Sequence, residues 1–251
     1  MGRKKIFMKK WILRILVILL CFGIIVGAFI LYEGHKLYKE ALDQISLEDK
    51  VAQEQKDEDY VHLKDLPVDY KNAVVSVEDH RFYKHGPIDV IAIGRALITN
   101  IRYGQLLEGG STITQQVAKN LYFIAEDDNP VYRKFAEIFM AYDLENTYKK
   151  DEILELYMNT IYFGDGYYGI EEACQGYLGK DARQMTLFEA TMMAGIPNAP
   201  SVYAPTANID LTLSRQRKVV STMVENGYLT QEQADKVLAE QSTFESEYNK
   251  K

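Results

Sequence analysis

The sequence predicts a mainly α protein: a helical domain preceded by one transmembrane helix. Three observations carry that expectation. Residues 15–32, ILVILLCFGIIVGAFILY, form an unbroken apolar run of about the length that a bilayer core demands. Beyond the run, apolar residues recur at three- and four-residue spacing in segment after segment, with no strand–helix alternation and no internal repeat. The chain has 251 residues, 47% hydrophobic and 26% charged, enough for one sizeable folded domain plus an appendage.

The elements follow in order. Residues 1–10 form a basic tail with Arg3, Lys4, Lys5, Lys9 and Lys10. Residues 11–32 form the span, in which Arg14 lies close enough to the start for its long side chain to reach the headgroups. After it, Glu33, His35, Lys36, Lys39 and Glu40 mix signs, so the charge bias places the amino terminus in the cytoplasm and the rest outside the cell. A cleavable signal peptide fits less well, because the run is too long and no small-x-small site closely follows Ala28.

Residues 33–59 read as a helical stalk and a charge-rich linker, with the folded domain covering 60–240. Asp65 and Pro67 signal a helix start, followed by Leu66, Tyr70, Ala73, Val74 and Val77 at helical spacing. Further helices are expected near 88–102, 112–123, 130–148, 151–161, 186–194, 214–225 and 231–240. Gly227 is placed to stop the penultimate one, and Thr230 with Gln233 forms a capping box for the last. Residues 241–251 are expected to be a frayed, disordered tail.

Composition excludes some classes. A net charge of −7 argues against a nucleic-acid partner, since phosphate backbones are met by basic surfaces. Cys21 falls in the span and Cys174 far along the outer domain, so no disulfide framework is implied. His35, His62, His80 and His85 are scattered, and no His or Cys ligand cluster predicts a metal site.

Five stretches remain in which chemistry could reside. In VEDHRFYKHGPID, residues 77–89, Glu78 sits at the edge of the apolar stripe beside Val74 and Val77. Desolvation there, and repulsion from Asp79, raise a carboxyl pKa and make Glu78 a candidate general base. Alone, the pair reads better as a capped helix end with two solvated acids. In EGGSTITQQVAKN, residues 108–120, two glycines and the hydroxyls of Ser111 and Thr112 open a helix. Its amino terminus suits an anion. Thr112, Gln115, Gln116, Lys119 and Asn120 share one face and Ile113, Val117 and Leu121 the other; a Thr112–Gln115 capping box leaves Gln116, Lys119 and Asn120 unexplained.

RKFAE supplies Arg133, Lys134 and Glu137, ordinarily an exposed ion pair, yet suited to holding a pyrophosphate. The glycines and aromatics of residues 162–169 suggest a tight turn, with packing as the main role of the rings and sugar stacking as the sharper alternative. LFEATMMAGIPNAPSVYAP reads as architecture.

In this order and spacing, EDHRFYKH, EGGSTITQQVAKN, RKFAE and ILELYMNTIYFGDGYYGIEEA resemble the peptidoglycan glycosyltransferase family, glycosyltransferase family 51, over about residues 60–205. The resemblance implies a lysozyme-like helical head with a small membrane-associated jaw near 91–107, which carries Arg95 and Arg102. It implies lipid II and the growing glycan strand as substrates, a cell-membrane location and other cell-wall synthases as partners. By the same resemblance Glu78 and Glu137 are catalytic, while Asp79, Phe82, Ser111, Thr112, Gln115, Gln116, Lys119, Asn120, Arg133 and Lys134 bind substrate. No cofactor is required by these motifs; a divalent cation, Mg or Mn, bridging Glu137 and a pyrophosphate stays open. The family has glycine two residues after the first motif's histidine, where His85 is here followed by Gly86 and Pro87.

Without Ser-x-x-Lys or Lys-Thr-Gly, the chain is expected to be a monofunctional transglycosylase that does not bind penicillin covalently. Two rival readings are a glycan-cleaving lysozyme-like hydrolase and a non-catalytic membrane-anchored scaffold.

Overall fold

The computed structural model describes residues 2–105, 109–124, 129–248 and 250, with side chains from Lys10 onward. Residues 106–107 of the expected jaw, Glu108 of the second motif and Met1, 249 and 251 of the two tails lie outside these. The fold is mainly α, as the periodicity predicts. The first helix, α1 (Gly2–Gln44), does not stop where the apolar run does. Its span presents Ile18, Leu20, Phe22 and Ile25 outward, whereas Leu37, Tyr38 and Ala41 are buried in the core of the domain. After Ser46, whose hydroxyl accepts from Asp49 N, α2 (Leu47–Glu54) buries Leu47 and Val51. The segment 33–59 is therefore not a linker. Leu37 with Ala41, and Leu47 with Val51, each place two apolar side chains one turn apart, and that face packs.

Helix α3 (Val68–Glu78) starts behind Pro67 and buries Tyr70, Ala73, Val74 and Val75. Asp89 caps α4 (Val90–Tyr103) by accepting from Ile91 N and Ala92 N. Within α4 only Ala96 is buried; Ile91, Leu97, Ile98 and Ile101 face outward, so this helix joins the domain by one thin edge. The central α5 (Ile113–Tyr122) packs against α6 (Pro130–Thr147) and α7 (Lys150–Thr160), burying Ile113, Val117 and Leu121 at four-residue spacing. A short antiparallel pair follows, β1 (Tyr162–Gly164) and β2 (Tyr167–Tyr168). Gly169 closes it at φ 80°, and a Cβ there would meet Asn159 O at 2.6 Å, so this turn requires glycine.

The glycines also hid a helix. α8 (Ile170–Leu178) was not expected, because its Gly176, whose missing side chain admits the Tyr167 ring, interrupts the pattern. α9 (Leu187–Met193), α10 (Pro200–Tyr203) and α11 (Ile209–Glu225) complete the second half, and α3 packs on both α9 and α11. The first turn of α11 precedes the expected start at 214, because Asn208 caps it by accepting from Leu211 N. The Thr230–Gln233 box opens α12 (Gln231–Ala239).

The carboxyl-terminal residues correct the expectation of a frayed tail. They form α13 (Gln241–Tyr248), with Gln241 buried and Phe244 set 5.1 Å from Phe188. Gln241 Nε2 donates to Leu213 O at 2.9 Å and to Gln216 Oε1 at 2.7 Å. Gln216 Nε2 in turn donates to Phe188 O at 2.9 Å and Thr191 Oγ1 at 3.1 Å. A side-chain network, invisible to apolar periodicity, holds the end of the chain.

Candidate functional site

Glu78 is the last residue of α3, set at the surface of the core by Tyr70 and Val74 beneath it. Its Oε2 accepts from Gln116 Nε2 of α5 at 3.0 Å, while Oε1 is buried and has no partner. Burial pushes its pKa above the ordinary 4.5; the Gln116 hydrogen bond and the charge of Arg215 pull it down, and Asp79 pushes it up. The outcome is a raised carboxyl with one oxygen open to a new partner.

Asp79 turns the other way. Its carboxylate contacts His85 Nε2 at 2.8 Å and accepts from Ile113 N at 3.1 Å, pinning the end of α3 to the first turn of α5. Phe82, completely buried, lies under the Lys150 ammonium at 4.4 Å from the ring centroid. Thr112 Oγ1 caps α5 by accepting from Gln115 N and donates to Pro87 O at 3.0 Å. These three, expected to bind substrate, help build the frame of the site: each directs polar or apolar surface at the protein itself. The Pro87 carbonyl also accepts from Gln115 Nε2 at 3.0 Å, so this loop keeps a use for its oxygen where proline has no N–H.

The other nine expected residues line one cleft of about 620 Å³: Glu78, Ser111, Gln115, Gln116, Lys119, Asn120, Arg133, Lys134 and Glu137. α5 turns Gln116, Lys119 and Asn120 toward it from one side. α6, begun by Asn129 and Pro130, brings Arg133, Lys134 and Glu137 from the other. Glu137 is 5% exposed and balanced by cations, with Lys134 Nζ at 2.8 Å and Arg133 Nε at 3.8 Å. Lys134 also donates to Ser111 Oγ at 3.0 Å, which ties the glycine-led loop to α6. Arg133 Nε and Asn120 Nδ2 are buried without a hydrogen-bond acceptor.

Further groups line the cleft, some of them assigned chiefly to packing or architecture in the sequence. Tyr162 and Tyr168, paired across β1 and β2 with centroids 4.8 Å apart, stand on the cleft wall, whereas Phe163 packs in the core and Tyr167 against Tyr177. Packing, the main role expected of these rings, thus describes Phe163 and Tyr167, while Tyr162 and Tyr168 face the cleft. Pro197, Asn198 and Pro200, read as architecture, also border the cleft. A second depression of about 400 Å³ meets the first at Val77, Glu78, Gly109 and Asn198, and its walls carry His80, Arg95, Arg215 and Lys218. Burial, then the charge of Arg95, lowers the pKa of His80. Only its run of cations, LSRQRK, could have singled out α11.

Among the described residues one cluster has metal-ligand spacing: Asp79, His85 and Asp89, whose ligand atoms lie within 4.8 Å of one another. Its donors are engaged, Asp79 as above and Asp89 by Arg81 Nε at 2.9 Å and by the cap of α4. Glu137 is likewise occupied by Lys134 and Arg133.

A family profile described as Transglycosylase matches residues 44–224. The chain is 43% identical over 187 residues to "Penicillin-binding protein 1A" of Neisseria lactamica, covering 74% of this chain and 23% of that protein. It is 42% identical over 188 residues to the protein of the same description from Aquifex aeolicus, covering 75% of this chain and 26% of that one. Among solved structures, a crystal structure of penicillin-binding protein 1A from Haemophilus influenzae aligns with 50% of this chain and 15% of its own, at 29% identity and a TM-score of 0.35. The chain spans about a quarter of the length of the curated relatives it matches.

Proposed function

We propose that this chain, which belongs to the transglycosylase family, polymerises lipid II into linear glycan strands at the outer face of the membrane, with Glu78 as general base. One observation carries the reading. Among the described residues five buried side-chain polar atoms lack a hydrogen-bond partner, and three of them, Glu78 Oε1, Asn120 Nδ2 and Arg133 Nε, belong to residues of the same cleft. Each such atom costs about 1–3 kcal/mol, so natural structures rarely keep them without use. Two donors and one proton acceptor around one space are satisfied by a ligand that brings oxygens to the donors and a hydroxyl to Glu78.

Glu78 removes the proton from the acceptor's GlcNAc 4-hydroxyl as that oxygen attacks the anomeric carbon of the donor's MurNAc. The bond from that carbon to the pyrophosphate breaks, the configuration inverts from α to β, and polyprenyl pyrophosphate leaves. Lys119, Arg133 and Lys134 take the departing charge. Glu137 holds the two α6 cations in place. The acceptor reaches Glu78 from the second depression, where Arg95, Arg215 and Lys218 receive its own pyrophosphate. Charge neutralisation is assigned to these cations.

The apolar span of α1 crosses the membrane once, with the basic end inside, and the outward apolar side of α4 rests in the outer leaflet. The test supplies purified lipid II and, separately, mature glycan. Polymer from lipid II is the expected result. Fragments from mature glycan with no polymer would make the protein a hydrolase, and inertness toward both would make it a scaffold.

A further inference from the structure

The anchor is bound to the helix that carries the cations. Along α1 the contacts with α6 advance in step: Phe29 lies edge-on to Tyr132 at 6.2 Å, His35 and Tyr38 contact Phe139 at 5.2 and 5.8 Å, and the Tyr38 hydroxyl donates to Asp143. The two helices are therefore parallel, with the first turn of α6 directed at the membrane. Between these contacts Gly34 lets the backbones close; a Cβ there would stand 2.5 Å from Phe135 Cβ and 3.0 Å from Tyr132 O. Tyr38 and Leu37 are buried, so the contact belongs to the core of the domain.

In-step packing converts position on α1 into height on α6. The apolar run ends at Tyr32. Phe29, opposite Tyr132, is three residues inside that end, and Gly34, opposite Tyr132 and Phe135, is two residues beyond it, offsets of about 4.5 and 3 Å. Arg133 and Lys134 thus fall at the boundary between hydrocarbon and headgroups. Val131, 48% exposed and next to Tyr132, suits a surface that meets lipid.

We infer that α1 is a depth gauge: packed on α6, it holds the Arg133 and Lys134 turn at headgroup level, where a lipid-borne pyrophosphate lies. This rests on the proposed function, which supplies the substrate. A simple tether would raise local concentration regardless of height; a gauge demands rigidity.

The test uses the full chain with six Gly-Ser residues inserted between Tyr32 and Glu33, which leaves Gly34 and everything after it intact. Initial polymerisation rates are compared in liposomes and in detergent micelles. The insertion should lower the liposome rate at least about tenfold and the micelle rate less than about twofold. In parallel, Val131→Trp is built in a Trp11→Phe background, which removes the sole native tryptophan, and its quenching by bromolipids is read at graded depths. Quenching should peak near the headgroups in the parent and weaken with the insertion. An unchanged liposome-to-micelle ratio, or an unchanged quenching profile, overturns the gauge. A parent that makes no polymer in liposomes or micelles overturns the proposed function instead, and the quenching profile, which needs no substrate, then decides the gauge alone.

Discussion

Two buried acids face the same cleft in opposite circumstances. At the end of α3, Glu78 has a single amide donor, an unpartnered oxygen and a pKa raised by burial. On α6, Glu137 has Lys134 at 2.8 Å and Arg133 at 3.8 Å. The first is arranged to gain a proton, and the second is paired with two cations. Burial without a cation at hydrogen-bond distance sets Glu78 apart from Glu137, although the residue type is the same.

The sharpest way to break this contrast is Glu78→Gln. Loss of a general base lowers the rate about 10²–10⁴-fold, measured as polymer formed from lipid II. Because the folded-state pKa lies above the unfolded one, ionised Glu78 costs stability at neutral pH, and the neutral amide removes that cost. The variant should therefore melt no lower than the parent; a large drop in melting temperature would make Glu78 a structural residue.

Glu137→Gln should act in the reverse sense. It leaves Lys134 and Arg133 without their anion and should destabilise the protein by about 1–3 kcal/mol, discounted by the partial exposure of Lys134. Thermal unfolding measures this, and an unchanged midpoint would deny the pairing. Lys119 makes no ion pair among the described residues, so Lys119→Ala should spare stability and weaken a pyrophosphate-mimicking inhibitor about tenfold. Equal affinity would show that this lysine faces away from the bound anion.

The smallest effect is a displacement in pH. Glu78 accepts a proton only when ionised, so the rate falls as pH drops through its raised pKa, and the acid limb lies above pH 4.5. Gln116→Leu removes the hydrogen bond that favours the ionised form and should move that limb upward, with Arg215→Met moving it the same way. A limb that stays put in both would mean another group limits the rate.

Much of this was legible in the residues, and the exceptions share a cause. The packed face of α5 follows from Ile113, Val117 and Leu121, and its cleft face from the polar residues left over. Glu78 and Glu137 were singled out by the family resemblance of their motifs, since alone each read as an ordinary acid at a helix end or in an ion pair. Asp79, Phe82 and Thr112 sit in the same motifs yet serve the frame, since a one-dimensional pattern does not reveal which way a side chain turns once a helix ends. Arg215 and Asn198 arrive from distant segments, and only the packing of α11 on α3 brings Arg215 to Glu78. The burial of Leu37 and Tyr38 was concealed by the mixed charges around them.

The glutamine pair that fastens α13 has a consequence for handling the protein. A protease that clips after Glu240 would remove Gln241 and strand the Gln216 oxygen in a dry interior, one residue from Arg215. Trimming the last eleven residues as if they were dispensable would therefore be felt beside Glu78, as slack in the helix that aims Arg215 at it.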